Sequence, residues 1–349
     1  MSRVQQIIDF IRRKEEKSNF EGMKETVIYL SNSIDFDKKI AEIILNAKYN
    51  LFTYKKYKKI LADYLAKIDA TKIPKARGVL KNYQNELISF TKDIVFDLEK
   101  NDIYPMITGG TLLGAVRHGG FIPWDDDIDF DIVRDEYERL LKLIEEKYVV
   151  FDTSEITNFR EFYTGLDDII SKNPNQIIWA RKPFGLCVYR GTSLSDAKVL
   201  DFFCVDYLAE NVSKENLLEY RQKKEEEYKA CKNWKEIFEF FDRERKSCGL
   251  FASTGTVLAR GWDSFSFSHV KRTRLFLTKD VLPSTKVDFE DIKLSTYQNY
   301  EFVLGEYFSN YMKLPVYFNV AMHIKNLAKK CKENRKAYFI TIEEILNGK

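Results

Sequence analysis

The chain is short of the residues that build most metal centres and staples. Histidine occurs three times in 349 residues, and the five cysteines are scattered at positions 187, 204, 231, 248 and 331. No CxxC pair and no Cys/His cluster appears, so the usual structural zinc spacings are excluded. A dense disulfide framework is excluded for the same reason, and the thiols are expected to be free, buried and in a reducing compartment. Long apolar runs are absent as well. No stretch approaches the ~18 residues needed to cross a bilayer. The first seventeen residues are charged throughout and lack the apolar centre of a signal peptide. The expectation is a cytoplasmic protein, peripheral at most to the inner face of the membrane. An excess of one charge is missing too. Lys plus Arg number 56 against 53 Asp plus Glu, a net charge of +3. Nucleic acid is therefore not an expected partner. There is no low-complexity segment and no internal repeat.

What is present is a large apolar and aromatic content. Hydrophobic residues make up 44%, with 26 Phe and 20 Tyr, ample for a packed core. The length suggests roughly two domains. Chemistry concentrates in Thr108–Arg134, TGGTLLGAVRHGGFIPWDDDIDFDIVR. From Asp125 to Ile132, charged and apolar residues alternate with the period of a strand. Asp125, Asp127, Asp129 and Asp131 would share one face, and Ile128, Phe130 and Ile132 the other. Carboxylates two residues apart on a strand face lie roughly 6.5–7 Å apart. At an effective dielectric near ~20 each such pair repels by roughly 2.4 kcal/mol. A solvated acidic edge strand is the plain explanation. A hard cation with oxygen ligands, Mg²⁺ above all, is the chemical one.

The residues just before the aspartates favour the second. Ile103–Ile107 reads as a short strand, 108–111 as a tight turn, and Leu112–His118 as a helix. A strand, a glycine turn and a helix N-terminus make an anion cradle of free N–H groups and a positive dipole end. A metal-bound phosphate needs both the cradle and the acids. Arg117 and His118 end that helix, either as cations that cap it or as phosphate contacts.

These residues closely resemble the LicD family. GGTLLGAVRH, GFIPWDDDIDF and the following VRDEYERL carry the likeness. The family comprises phosphocholine transferases and fukutin-type relatives within the nucleotidyltransferase superfamily. The resemblance implies an α/β (α+β) fold, a nucleotidyltransferase-like mixed sheet flanked by helices. It implies Gly109, Gly110 and Thr111 as a phosphate cradle, and Asp127 and Asp129 as metal ligands. Asp201, in VLDFFCVDY, is implied as the third carboxylate, completing a metal site or acting as base. Weaker matches recur at 287–291 and 311–315, so the likeness covers about residues 80–320.

The activity implied is Mg²⁺-dependent, with Mn²⁺ as a substitute. A phospho-alcohol, phosphocholine first, would pass from a CDP-alcohol to a hydroxyl of a cell-surface glycan or its lipid-linked precursor, releasing CMP. Lipopolysaccharide, capsule and teichoic acid are acceptors of that kind. The alternatives are a nucleotidyltransferase that releases pyrophosphate, and a non-catalytic binding module that keeps the fold. Arg117, His118, Lys271 and Arg272 are candidates to neutralise the substrate's phosphates. Trp124 is a candidate ring for choline's quaternary ammonium, which aromatic faces hold well.

Residues 1–75 lie outside the resemblance and read as an N-terminal helical extension, with 76–349 as the catalytic domain. Val4, Ile7, Ile8 and Ile11 form one apolar stripe. Ile40, Ile43, Ile44 and Ala47 form a second, and Tyr54, Tyr57, Leu61, Tyr64 and Ile68 a third. Lys55, Lys56, Lys58 and Lys59 load the polar face of the third. They are either solvated or a surface for an anionic membrane. Farther on, a long helix is expected over 79–100, strands over 148–152, 184–189 and 198–206, and a polar connection over 167–176. The carboxylate of Asp131 is expected to pair with Arg134 or Arg117.

Overall fold

The computed structural model describes residues 3–260 and 274–317, with side chains from Lys14 onward. Helix α1 (Arg3–Ser33), α2 (Lys38–Leu45) and α3 (Leu51–Leu65) come first, then the long α4 (Gly78–Glu99). Caps set two of these starts. Asp37 accepts from the N–H groups of Lys39 and Ile40, and Asn50 forms a reciprocal capping box with Thr53. Strand β1 (Met106–Ile107), α5 (Gly109–His118), β2 (Asp129–Val133), α6 (Arg134–Lys147) and β3 (Val149–Phe151) follow. Next are α7 (Phe159–Lys172), β4 (Ile178–Lys182), β5 (Gly185–Arg190), β6 (Lys198–Leu208), α8 (Lys214–Lys229) and α9 (Trp234–Ser247). The last described elements are β7 (Phe251–Ala252), β8 (Val257–Arg260), β9 (Leu275–Leu277), α10 (Thr278–Val281), β10 (Thr285–Phe289), β11 (Ile292–Thr296) and α11 (Tyr300–Phe308).

The strands join in one mixed sheet of order β10-β11-β1-β2-β6-β5-β4-β3, with β7 and β8 on the far end of β6 and β9 on β8. The pair β2–β6 is parallel, while β1–β2 and β5–β6 are antiparallel. This is the α/β mixed sheet with an N-terminal helical region that the sequence led us to expect. Its centre is the β2–β6 pair, where Phe130 and Phe202 stack at 5.0 Å.

A single apolar core runs from the N-terminal helices into the sheet. It includes Phe20, Met23 and Leu30 of α1, Leu61 of α3, Leu87 and Phe90 of α4, and Phe130, Phe202 and Phe289. Tyr29 of α1 packs edge-on against Trp124 beside the acidic segment, with centroids 5.7 Å apart. Thus α1 supports the segment that carries the aspartates.

Three local expectations change. The polar connection at 167–176 is largely the C-terminal half of helix α7. Phe162, Leu166 and Ile170, four apart, are buried along it, and Asn158 caps its start. The polar residues between them occupy the outer face, which hides a helix from a reading by composition. The acidic strand is shorter than the alternation suggested. β2 begins at Asp129, and the preceding loop turns back where the Asp125 N–H donates to Ile122 O. The third change is the partner of Asp131, which is described with the site.

Candidate active site

Helix α5 and strand β2 are clipped together at Asp129. The Thr108 N–H donates to Asp129 O at 3.1 Å, and the Asp129 N–H donates to Thr111 Oγ1 at 2.9 Å. Gly109 has φ +55, a conformation that favours glycine, and it opens the helix. A side-chain carbon added there would lie 3.7 Å from Asp129 Oδ2; one on Gly110 would lie 3.1 Å from Asp125 Oδ2. The glycine pair therefore faces two carboxylates across a narrow gap. The free N–H groups and dipole of the helix start point the same way.

Asp125, Asp127 and Asp129 are half-buried around this gap. Burial raises the Asp125 carboxyl well above the usual range, and the charges of Asp127, Asp126 and Asp129 raise it further. The Gln84 side chain of α4 holds this loop by donating to Asp125 O at 2.8 Å. Tyr83, one residue earlier, has its hydroxyl pKa raised by burial and by Asp126 and Asp127.

Asp201 joins the group through the sheet. On the parallel strands β2 and β6, Asp129 pairs with Asp201. Adjacent strands lie about 4.8 Å apart and paired residues share a face, so the two carboxylates are neighbours. Asp201 Oδ1 is bound at 2.5 Å by Lys182 Nζ, which reaches in from the end of β4. Burial pulls the Lys182 ammonium down, but Asp201, with Cys187 and Tyr163, raises it more, and the net shift is upward. Cys187, paired with Asp201 across β5–β6, has its thiol pushed up to about 11 by burial.

The other aspartates of this region are differently treated. Asp131 is buried, accepts from the Tyr297 hydroxyl at 2.8 Å, and pairs with Arg260 at 3.1 Å. Asp206 takes both arms of Arg134, at 2.6 and 2.9 Å. The sequence had suggested Arg134 or Arg117 as the partner of Asp131, and the structure gives it Arg260 and Tyr297 instead. Sequence proximity misled, because β8 brings Arg260 to the sheet from more than a hundred residues away.

The pattern is that of a known domain. Residues 102–165 match the LicD/FKTN/FKRP nucleotidyltransferase domain. This part of the chain belongs to the LicD family. The lipopolysaccharide cholinephosphotransferase LicD of Haemophilus influenzae is 43% identical over 68 residues, 19% of this chain and 26% of that protein. An uncharacterised protein of Rickettsia prowazekii is 45% identical over 58 residues, 17% of this chain and 22% of that protein. One of Rickettsia typhi is 50% identical over 50 residues, 14% of this chain and 16% of that protein. The matched segment thus spans about a quarter or less of each relative.

The LicD segment contains the glycine pair and the acids from Asp125 to Asp131. Lys182, Asp201 and Arg260 lie beyond it, and the sheet delivers them. Arg117, His118 and Trp124 lie within it but behind the acidic loop. Arg117 is buried and donates to Tyr311 O at 2.8 Å, to Lys313 O at 3.4 Å, and to His118 Nε2 at 2.9 Å. Burial lowers its pKa to about 10, against the pull of Asp125. Burial, then Arg117, pushes His118 down to about 3, so its ring stays neutral and accepts. Trp124 is buried between Tyr29, His118 and the Arg117 guanidinium. Phe121 packs on Phe289. Lys271 and Arg272 lie outside the described residues.

The match near 287–291 finds a structural use. Glu290 accepts from the Phe121 N–H at 3.3 Å and pairs with Lys75 at 2.6 Å, while its own N–H donates to Gly119 O at 2.9 Å. A side-chain carbon on Gly120 would collide with its carboxylate at 2.3 Å. Glu290 thereby fixes the glycine loop that leads into the acids.

Among the described residues no three carboxylate, imidazole or thiol groups stand as a ready-formed metal site. The donor set still suits a hard divalent cation. Negative neighbours raise the Asp125 carboxyl, so an added positive charge would relieve the cluster. Sequence reasoning missed Lys182 and Gln84 altogether. Each sits on an ordinary amphipathic element with no local motif, and only strand register or helix packing brings it to the loop.

Proposed function

We propose that this protein transfers a phospho-alcohol, phosphocholine first, from a CDP-alcohol to a hydroxyl of a cell-surface glycan or its lipid-linked precursor. One observation carries the reading: the Asp125–Asp129 carboxylates face the Gly109–Gly110 helix start, with Asp201 alongside on the next strand. That is a place for a phosphate that brings its own cation. Asp127 and Asp129, with Asp125 beside them, are the residues to hold Mg²⁺ or Mn²⁺. The ion would neutralise phosphate charge and fix its orientation.

The chain's own groups then divide the work. The N–H groups at the start of α5 hold phosphate oxygens. The acceptor oxygen attacks the phosphorus that bears the alcohol. The bond from that phosphorus to the bridging oxygen breaks, and CMP leaves with the bridging oxygen. Asp201 takes the acceptor's proton. Arg117, His118 and Trp124 support the loop from behind, their hydrogen bonds and ring faces spent inside the protein. The likeness to a lipopolysaccharide cholinephosphotransferase supports the choline payload.

The test is to incubate the purified protein with CDP-choline and Mg²⁺, and separately with CTP and Mg²⁺. CMP from the first and no pyrophosphate from the second is the expected result. Pyrophosphate from CTP would replace this reading with nucleotidyl transfer, and neither product under any acceptor would leave a binding module.

A lipid-linked acceptor lies at a membrane, and α3 offers a surface for one. No described helix is long and apolar enough to cross a membrane. Leu51 and Phe52 are 47% and 75% exposed, and Lys55, Lys56 and Lys59 follow on the same outer side. Apolar tips with lysines suit an anionic interface. Replacing the three lysines with Glu should abolish sedimentation with anionic vesicles, each lysine contributing about 1 kcal/mol. Unchanged sedimentation would remove the membrane from this proposal.

A further inference from the structure

Lys182 stands beside the acidic cluster without belonging to any motif. Asp129, Asp201, Cys187 and Ala180 pair in succession across β2, β6, β5 and β4. Paired residues share a sheet face, and so do residues two apart on one strand. Lys182 is two residues from Ala180, which sets it on the face of Asp129 and Asp201. Its ammonium meets the Asp201 carboxylate at 2.5 Å, with the Cys187 thiol and Tyr163 hydroxyl nearby. The two charged side chains are 19% and 13% exposed, so the pair is neither sealed nor free in solvent.

The neighbouring cations are committed elsewhere. Arg260 and Tyr297 close on Asp131, Arg134 makes a forked pair with Asp206, and Arg117 donates to backbone carbonyls. Lys182 is held through one carboxylate oxygen of Asp201. Two joined phosphates carry more negative charge than one divalent ion cancels, and phosphoryl transfer depends on cancelling it.

We propose that Lys182 is the diphosphate-binding cation of this site: Asp201 stores its ammonium beside the acidic cluster, and a phosphate oxygen of the bound donor takes it over. The exchange keeps the ammonium paired throughout, so no bare charge is left in a half-buried place. It also releases Asp201 Oδ1 next to Asp129 as the donor arrives. Donor binding and a carboxylate ready for the acceptor's proton thus become one event. The inference rests on the proposed donor only in taking the diphosphate to be part of a CDP-alcohol.

The experiment measures binding of inorganic pyrophosphate with Mg²⁺ by calorimetry, so it needs neither a CDP-alcohol nor an acceptor. Lys182→Gln should weaken pyrophosphate about tenfold or more, the scale of one charge-assisted hydrogen bond. Lys182→Arg should restore part of the loss. Asp201→Asn frees the ammonium and should bind pyrophosphate at least as tightly as the wild type. Adding Lys182→Gln to Asp201→Asn should bring the weak binding back, in a protein with no unpaired charge to upset folding. If Asp201→Asn abolishes binding, or the double variant binds like Asp201→Asn alone, Lys182 is only the counter-ion of Asp201 and the proposal is overturned. CMP release from CDP-choline together with Lys182-independent pyrophosphate binding would overturn this inference alone. Lys182-dependent binding without CMP release would overturn the donor instead.

Discussion

Asp129 and Asp131 are two residues apart on one short strand, yet the protein treats them in opposite ways. Asp131 is 1% exposed and has Arg260 and the Tyr297 hydroxyl built around it. Burial, then Asp131, pushes the Tyr297 hydroxyl well up; burial pulls the Arg260 pKa down, but Asp131 together with Tyr307, Asp129 and Tyr297 raises it on balance. Toward the other end, Asp125, Asp127 and Asp129 are half-buried, and at Asp125 burial and repulsion win. A carboxylate with its own counter-ion belongs to the fold. Carboxylates whose repulsion is left standing are waiting for a charge from outside. The difference separates stability from chemistry within one run of aspartates.

The most direct way to break this comparison is to neutralise the open end. Asp127→Asn with Asp129→Asn should cost roughly 10³-fold or more in CMP release, since charge stabilisation of several kcal/mol is at stake. The same double variant should melt no lower than the wild type, because a repulsion has been removed. Substantial residual turnover would detach these residues from the metal.

At the closed end the prediction is reversed. Arg260→Met leaves Asp131 buried beside only Tyr297, and breaking such a pair costs about 3–5 kcal/mol. Denaturant titration should show the loss, and adding Asp131→Asn should recover part of it. If Arg260→Met is as stable as the wild type, Asp131 is no structural acid and the contrast fails.

The smallest effect concerns the support behind the loop. His118 is held down to about 3, against an ordinary value near 6.5. The unfolded chain therefore binds its proton first as pH falls. His118 contributes stability above about pH 6.5 that is lost progressively toward pH 3. Thermal melts between these limits should fall more steeply for the wild type than for His118→Asn. Parallel curves would mean that the ring is not kept neutral beside Arg117.

The contrast bears on how much could be read from the chain. The alternation from Asp125 to Ile132 located the acids, since only a strand period sets charges and apolar residues on opposite faces. The glycine pair located the turn into the helix start, and in the structure Gly109 takes a positive φ that favours glycine. Long-range partners had no such signature. Arg260 reaches Asp131 from β8, and Lys182 reaches Asp201 from β4. Trp124 read as a candidate ring for choline, and the structure sets Tyr29 of α1 edge-on against it. Its neighbours in sequence carry no trace of that contact.

The sequence by itself determined a run of carboxylates and, just before it, a strand, a glycine turn and a helix start. Those follow from local geometry, namely strand period, glycine at positive φ and a helix N-terminus. The tertiary structure alone decided which acids have a counter-ion built around them and which are left to repel one another. It also decided that the first helices share the core of the sheet. Charge pairing and burial depend on strand register and helix packing, and these are set by residues tens to hundreds of positions apart.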